Sequence, residues 1–335
     1  MSADKLEAPL HVSPRRLCHG NIFVSDVRAS LAFYNKICGF EVVLEQPQIR
    51  AGFVSNGNTH HDIGMIQVTK EAVLGEDGHR ILAPGQGARP GLNHLGWEME
   101  SEFELTKAYE RAQAAGWKAH RTVRHRSSHS VYFFDPDGNI HEFYADVSKN
   151  WRDLYDSETS VSGEWNPGKN EPSTDARYHT QPDIRTVKDA PIHPVRITHA
   201  VLKARNFDRM CAFFRNGAGL LEKWRDDERG FAAYTAPACS YSAAIFLVRQ
   251  ESNDPHDRGL IRFAFELPSV AEVSAAIQRL VTAGVPVDRI IKEAHKESFL
   301  IKDPDGMVLE FYAPTSAQKE LGIKAAMIAE SHYGF

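Results

Sequence analysis

Apolar and polar residues alternate along some segments of the chain and recur at helical spacing along others. The segment RRLCHGNIFVSD, from Arg15, alternates as a strand does. Residues 29–38 then place apolar side chains on one helical face, and Gly39 is a typical helix-ending residue. Three further strands are predicted around Glu41, Phe53 and Ile63. This order predicts a βαβββ module.

A second βαβββ module follows. Residues 92–99 have the pattern of a strand, and Ser101 with Glu104 forms a capping box for a helix that ends near Gly116. The turn Asp135-Pro-Asp-Gly138 separates the last two of three predicted strands, which span 118–124, 130–134 and 139–147.

The second half of the chain repeats the first. The segment from His19 is echoed from His199 at an offset of 180, and the DPDG and Glu-Phe-Tyr motifs recur at an offset of 168. We therefore predict an α+β fold of two tandem domains, each with two βαβββ modules. The predicted boundaries are a domain over 15–147, a linker or wrapping segment over 148–194, a second copy over 195–314 and a tail over 315–335. The fall in offset indicates an inserted loop within 69–91.

Composition and charge exclude several classes of protein. Hydrophobic residues make up 42% of the chain and charged residues 25%, with a net charge of -5. There is no basic face for nucleic acid and no apolar run long enough to cross a membrane. The first residues lack a signal-peptide pattern, so we expect a cytoplasmic protein. The four scattered cysteines argue against a disulfide scaffold or a zinc ribbon.

Three residues at matching strand positions could hold a metal ion. Strand alternation puts His19 on one face with Asn21 and Phe23, and it places His94 and Glu142 in the middle of their own strands. If the two modules close into a cupped sheet, these three side chains converge at its centre. Two histidines and one carboxylate leave coordination positions open, which suits Fe(II) or Mn(II) and oxygen chemistry.

The second copy of the fold acts as an internal control. It keeps His199 and Glu310 but has Arg262 at the position of His94. A guanidinium cannot ligate a metal, so the second copy is predicted to be metal-free and non-catalytic. The bland alternative for any single strand histidine is a hydrogen-bonded core residue. Three candidates at repeat-matched positions favour a site.

These motifs resemble the vicinal oxygen chelate superfamily. The sequence DPDGN-x-x-E-F-Y and the two histidine-bearing strands carry the resemblance over residues 15–147 and again over 195–314. Within the superfamily, His60-His61-Asp62-Ile-Gly-Met is similar to the acid–base histidine strand of type I extradiol ring-cleavage dioxygenases. One departure is the order of domains, because better-known two-domain members carry the metal in the C-terminal copy.

The resemblance implies a role for three further residues. His61 matches the acid–base histidine and aligns with Ser242 in the second copy. Tyr132, ten residues before Glu142, is similar to the active-site tyrosine of the family. Arg124-His125 resembles an upstream Arg-His pair, although its spacing to Tyr132 is about two residues shorter than in the family.

The remaining histidines are assigned no chemistry. His60 is expected to be structural, and His79, in the inserted loop, either lines the mouth of a pocket or lies on the surface. His120, His129 and His141 have no predicted role.

The sequence predicts an extradiol dioxygenase that opens a catechol-like aromatic ring and incorporates both atoms of O2 at an Fe(II) or Mn(II) site. Two alternatives stay open: a glyoxalase-like metal-dependent isomerase or lyase, and a resistance protein that only binds a small molecule. Exposed sheet edges and an aromatic C-terminus favour a homo-oligomer.

Overall fold

The computed structural model describes residues 12–74, 78, 80–85, 87–155, 163–241, 243–250 and 259–315. His79, Ser242 and the tail beyond Thr315 lie outside these residues. In the first domain the elements are β1 Arg16–Val24, α1 Val27–Lys36, β2 Glu41–Gln46, β3 Ala51–Ser55, β4 Ile63–Gln67, β5 Val73–Leu74, β6 Arg80–Leu82, β7 Gly91–Glu98, α2 Glu102–Ala114, β8 Arg121–Arg124, β9 Ser128–Phe134 and β10 Ile140–Asp146.

The linker contributes a 3-10 turn at Trp151–Leu154 and the short strand β11 at Gly163–Glu164. In the second domain the elements are β12 Arg196–Ala204, α3 Phe207–Ala212 with a π-helical turn Phe213–Gly217, β13 Leu221–Asp226, β14 Phe231–Thr235, β15 Ile245–Arg249, β16 Gly259–Glu266, α4 Val270–Thr282, β17 Arg289–Lys292, β18 Lys296–Lys302 and β19 Val308–Pro314.

Each domain is built on one curved sheet. The first sheet has the order β11-β8-β9-β10-β7-β1-β4-β3-β2, and the second has the order β13-β14-β15-β12-β16-β19-β18-β17. The predicted α+β class with tandem βαβββ modules is therefore confirmed. In both sheets the first strands of the two modules pair in antiparallel fashion at the centre, β1 with β7 and β12 with β16.

Side-chain caps determine where the helices begin. Ser101 accepts a hydrogen bond from the backbone N–H of Glu104, as the capping-box pattern predicts. Helix α1 begins two residues before the predicted position, because Asp26 accepts from the N–H groups of Arg28 and Ala29. The predicted strand 118–124 begins only at Arg121.

Strand alternation separates an apolar face from a polar one. In β1, Ile22 and Val24 belong to the main apolar core, and in β7 Leu95 and Trp97 do the same. His19 lies on the opposite face of β1 with Asn21 and Phe23, as the pattern predicts. The polar face of the first sheet therefore carries the candidate site residues.

A single apolar core runs through both domains. Close backbone approach makes this possible, since a methyl group added at Gly20 of β1 would overlap the ring of Phe263 in β16. Across the same interface, Trp117 stacks on Phe213 with 5.8 Å between ring centroids. The two domains therefore form one packed body.

The segment between the domains wraps over the first domain. Its β11 pairs with β8, and backbone N–H groups of Arg185, Val187 and Ile192 donate to carbonyls of the first module. Of the two interpretations of residues 148–194, the wrapping one agrees with these contacts, and the exact domain boundaries stay a prediction. In the inserted loop, the described residues include a two-stranded ribbon of β5 and β6.

The two DPDG turns hold the domains together reciprocally. Asp137, in the first turn, accepts hydrogen bonds from the backbone N–H groups of Arg205 and Asn206 and from the Asn206 side chain, at 2.7–3.2 Å. In the second turn, Asp305 accepts from the backbone N–H of Ser25 at 2.9 Å. The motif therefore has a structural function in addition to closing a hairpin.

Among the described residues, none of the helices has the length and apolar character required to cross a membrane.

We expect Asp137→Ala to lower the free energy of unfolding by about 1–3 kcal/mol, because three donors lose a buried carboxylate acceptor. Urea denaturation monitored by circular dichroism measures this change. Asp305→Ala is the matched control, since Asp305 is half-buried and accepts one interdomain hydrogen bond. Equal losses in the two variants would contradict this account of the first turn.

Candidate metal centre

The three predicted ligands meet on adjacent central strands. His19 lies on β1, His94 on β7 and Glu142 on β10, and the order β10-β7-β1 makes these strands neighbours. The Nε2 atoms of both histidines lie 2.9 Å from Oε2 of Glu142. All three ligand atoms lie within 4.8 Å of one another, and all three residues are buried.

Gly96 makes the space that this arrangement needs. It lies opposite His19 in the β1–β7 pairing and opposite Glu142 in the β7–β10 pairing. A Cβ atom at this position would overlap the imidazole of His19 at Nε2. A glycine on β7 is therefore a condition for the His19 ring to reach the carboxylate.

The protonation pattern of His94 suits a ligand. Its Nδ1 lies 3.0 Å from the amide oxygen of Asn93, which can only accept, so Nδ1 carries the proton. The lone pair of Nε2 is then available to a metal ion once Nε2 has no proton to donate to Glu142. His94 and Glu142 would both hold such an ion, and the hydrogen bond to Asn93 would orient the imidazole.

Burial and neighbouring side chains determine the charges of the other two candidate ligands. Burial lowers the pKa of His19 to about 4, against the opposing pull of Glu142. Burial would raise the pKa of Glu142, but hydrogen bonds from His19 and His94 hold it well below its ordinary value. A neutral imidazole and an ionised carboxylate are the forms that bind a metal, so the residues present fit one.

Tyr132 and His125 form a hydrogen-bonded chain that ends on Glu142. Tyr132 lies directly opposite Glu142 in the β9–β10 pairing, and its hydroxyl donates to Oε1 at 2.7 Å. His125 Nε2 lies 3.0 Å from the same hydroxyl. Because the hydroxyl proton is directed to Glu142, His125 is the donor in this contact. Burial, followed by the Glu142 charge, raises the pKa of Tyr132 well above its ordinary value.

His61 lies beside the three candidate ligands, just before β4. Its ring centroid is 4.2 Å from that of His19, and both of its ring nitrogens are buried without a hydrogen-bond partner among the described residues. Burial, helped by the charges of His19 and His60, lowers the pKa of His61 well below its ordinary value. A buried ring with two unsatisfied nitrogens at a cavity wall is a candidate for contact with a ligand.

The neighbouring His60 has a partner. Its Nδ1 lies 2.8 Å from Oδ1 of the buried Asp146. Burial lowers the pKa of His60, but the carboxylate of Asp146 outweighs that effect and raises it. A pair of this kind agrees with the structural role expected for His60.

One cavity joins these side chains, and sequence reasoning missed several of its walls. It is lined by His60, His61, His94, His125, Tyr132 and Glu142, and also by Asn21, Asn93, Arg121 and Tyr155. The Arg121 guanidinium lies 4.3 Å from the centre of the Tyr132 ring. Strand alternation could have indicated Asn21, which shares a face with His19. Tyr155 comes from the linker, where no local pattern indicates it.

The second domain neutralises its central carboxylate with cations of the protein itself. Arg262 Nε lies 2.9 Å from Oε2 of Glu310, and Lys296 Nζ lies 2.7 Å from Oε1. Burial would raise the pKa of Glu310, but Lys296 and Arg262 hold it well below its ordinary value. His199 is paired with Ala264, where the first domain has Gly96, and its ring stacks on Tyr241.

The strand register corrects one alignment made from the sequence. The N–H of Gly20 donates to the carbonyl of Asp62, and the matching N–H of Ala200 donates to Ala244. His61 therefore corresponds to Ala243 and not to Ser242, because the repeat offset changes within the module. The second domain still has no histidine at this position.

Each domain is a curved sheet of two βαβββ modules, and the first carries a buried His-His-Glu cluster that could hold a metal ion. The family model "Glyoxalase/Bleomycin resistance protein/Dioxygenase superfamily" matches residues 16–143 and 196–311. The chain belongs to this superfamily, and the resemblance drawn from its motifs is confirmed. No curated protein matches the chain.

Solved structures share the fold at low sequence identity. The Mn(II)-bound glyoxalase from Novosphingobium aromaticivorans has a TM-score of 0.61 at 16% identity, covering 90% of this chain and 82% of that one. The 2,3-dioxygenase LapB from Pseudomonas sp. KL28 has 0.61 at 15%, covering 90% and 92%. Homoprotocatechuate 2,3-dioxygenase from Arthrobacter globiformis has 0.60 at 15%, covering 92% and 83%.

We expect Gly96→Ala to weaken Fe(II) binding by about 10–100-fold, because the added methyl group displaces the His19 ring. Equilibrium dialysis with iron analysis measures the affinity. Ala264→Gly, at the matching position of the second domain, should leave iron binding unchanged. Iron affinity in Gly96→Ala equal to that of the wild type would contradict the role of Gly96.

Proposed function

We propose that the protein is a mononuclear iron enzyme that opens a catechol-like ring with O2 by extradiol cleavage. The observation that carries the proposal is the convergence of His19, His94 and Glu142 beside a cavity that His61 and Tyr132 also line. Two histidines and one carboxylate would leave coordination positions open, which suits Fe(II) and chemistry with O2. Mn(II) is the second metal that this ligand set would accept.

The residues that line the cavity suit an aromatic diol. Besides the polar cluster, the cavity is lined by the apolar side chains of Leu44, Ile49, Phe53 and Ile66. An apolar wall stabilises the carbon face of a ring, and the few polar groups orient its hydroxyls. Fe(II) held by His19, His94 and Glu142 would supply the redox chemistry that lets an aromatic diol react with O2.

The residues around the metal position have separable roles in this proposal. A ring nitrogen of His61 accepts a proton from a ring hydroxyl and returns it when the ring opens. Tyr132 holds Oε1 of Glu142 by its hydrogen bond, which leaves Oε2 for the metal. His125 fixes the Tyr132 hydroxyl in turn. The product would keep both atoms of O2.

The likeness to the Mn(II)-bound glyoxalase favours one rival. A glyoxalase-like isomerase or lyase would use the metal to polarise a carbonyl, without O2. A binding or resistance protein would take up a small molecule and transform nothing. Oxygen consumption separates both rivals from the proposal.

The decisive experiment is oxygen uptake by the Fe(II)-loaded protein with catechol and substituted catechols. We expect O2 consumption and a yellow ring-fission product, in equal amounts. His94→Ala should abolish both and lower the iron content, because one of three ligands is lost. His120→Ala removes an exposed histidine and serves as the control. Undiminished iron and activity in His94→Ala would defeat the ligand assignment.

His61→Gln should slow turnover by about 10²–10⁴-fold, the range for loss of a general acid–base group. Its iron content should stay at the wild-type level, because His61 is not one of the three ligands in this proposal. Steady-state kinetics and iron analysis of the same sample give both values. Unchanged turnover would rule out the acid–base role, and lost iron would make His61 a ligand.

A further inference from the structure

The two modules of the first domain are related position by position, and one position of the metal centre has no ligand. In the second module, Glu142 pairs with Gly96, which lies two residues after His94. In the first module, Gly64 of β4 pairs with Asn21, which lies two residues after His19. A carboxylate at Gly64 would be the counterpart of Glu142 and a fourth ligand.

At this pair of positions, the two modules place the small and the large residue on opposite strands. In the second module the small Gly96 lies opposite the large Glu142. In the first module the small Gly64 lies opposite the large Asn21. A Cβ atom at Gly64 would lie 2.5 Å from Nδ2 of Asn21, so the Asn21 side chain covers Gly64. The space of a fourth ligand is thus occupied by an amide.

Within the described part of the chain, the amide oxygen of Asn21 is buried without a hydrogen-bond partner at the wall of the cavity. Asn21 is 4% exposed and lines the cavity beside His94. Its Oδ1 is buried and has no hydrogen-bond partner among the described residues. A buried amide oxygen is costly to leave unsatisfied, and such atoms indicate a missing partner. Since an amide oxygen accepts hydrogen bonds, an O–H or N–H group of a bound molecule would satisfy it.

We propose that Asn21 is a specificity-determining residue of this site. It takes the place of a fourth metal ligand over Gly64, and its Oδ1 accepts a hydrogen bond from a hydroxyl of the substrate. The pair Asn21 and Gly64 thereby keeps the ligand count at three and adds a hydrogen-bond acceptor beside the metal position. This inference rests on the proposed function for the chemical class of its ligand.

The second domain agrees with this assignment. Val201 occupies the position of Asn21, opposite Arg262 in the strand pairing, and Phe246 occupies the position of Gly64, opposite Val201. Both side chains are apolar and buried. A domain without a metal centre therefore has neither the amide nor the glycine.

Anaerobic titration of the Fe(II)-loaded protein with 4-nitrocatechol, followed by its visible spectrum, tests the acceptor. In Asn21→Leu, of similar volume, we expect unchanged iron content and a Kd raised about tenfold, equivalent to about 1.4 kcal/mol. Asn21→Ala, which adds no bulk, should give the same result. It replaces Asn21→Leu in the test if that variant does not fold. A Kd within about twofold of the wild type in both variants would overturn the acceptor role.

A second comparison tests the ligand position without any substrate. The double variant Asn21→Gly with Gly64→Glu should bind Mn(II) and Fe(II) more tightly than Asn21→Gly alone, because it supplies a fourth ligand, a second carboxylate. Competition with a metal chelator measures both affinities. Equal affinities would overturn the assignment of Gly64 as the vacant ligand position.

The two comparisons separate this inference from the proposed function. If the wild type binds 4-nitrocatechol and consumes O2 while Asn21→Leu and Asn21→Ala behave identically to it, the inference fails and the ring-cleavage function stands. If the wild type binds no 4-nitrocatechol, the ring-cleavage function and the acceptor role fail together. The metal affinities of Asn21→Gly with and without Gly64→Glu then decide the ligand position by themselves.

Discussion

A buried carboxylate at the centre of each sheet is the constraint on which the rest of the structure depends. An ionised carboxylate away from water is tolerated only when positive charge or strong donors compensate it. The second domain places Arg262 and Lys296 on Glu310. The first domain surrounds Glu142 with neutral imidazoles and the Tyr132 hydroxyl. The arrangement around Glu142 is therefore the one that could hold a metal ion, and it lies next to an open cavity.

Two glycines make room for the side chains around Glu142. Gly96 lets the His19 ring cross over β7 to the carboxylate, and Gly64 lets Asn21 close the opposite side. In the second domain these positions hold Ala264 and Phe246, and His199 stacks on Tyr241 instead. The same fold thus supports a chelating centre or an internal ion cluster, depending on a few side-chain volumes next to its central strands.

The second domain also supports the first mechanically. Its turn before α3 is capped by Asp137, which follows β9 and precedes β10, the strand that carries Glu142. Phe263 packs on Gly20, next to His19. The linker encloses the cavity from another side through Tyr155. The second domain is therefore part of the frame that holds the strands of His19 and Glu142 in place.

Local patterns in the sequence determined the modules, the repeat, the helix caps and the faces of the strands, because alternation and capping act over a few residues. They also indicated His19, His94 and Glu142, since repeat-matched positions single them out. Only the tertiary structure decided that these residues, along with Tyr132, lie on neighbouring strands, that His61 matches Ala243, and that Asn21 and Tyr155 line the cavity. Strand order, register shifts and the closeness of two backbones depend on contacts between residues distant in sequence, so no local pattern encodes them.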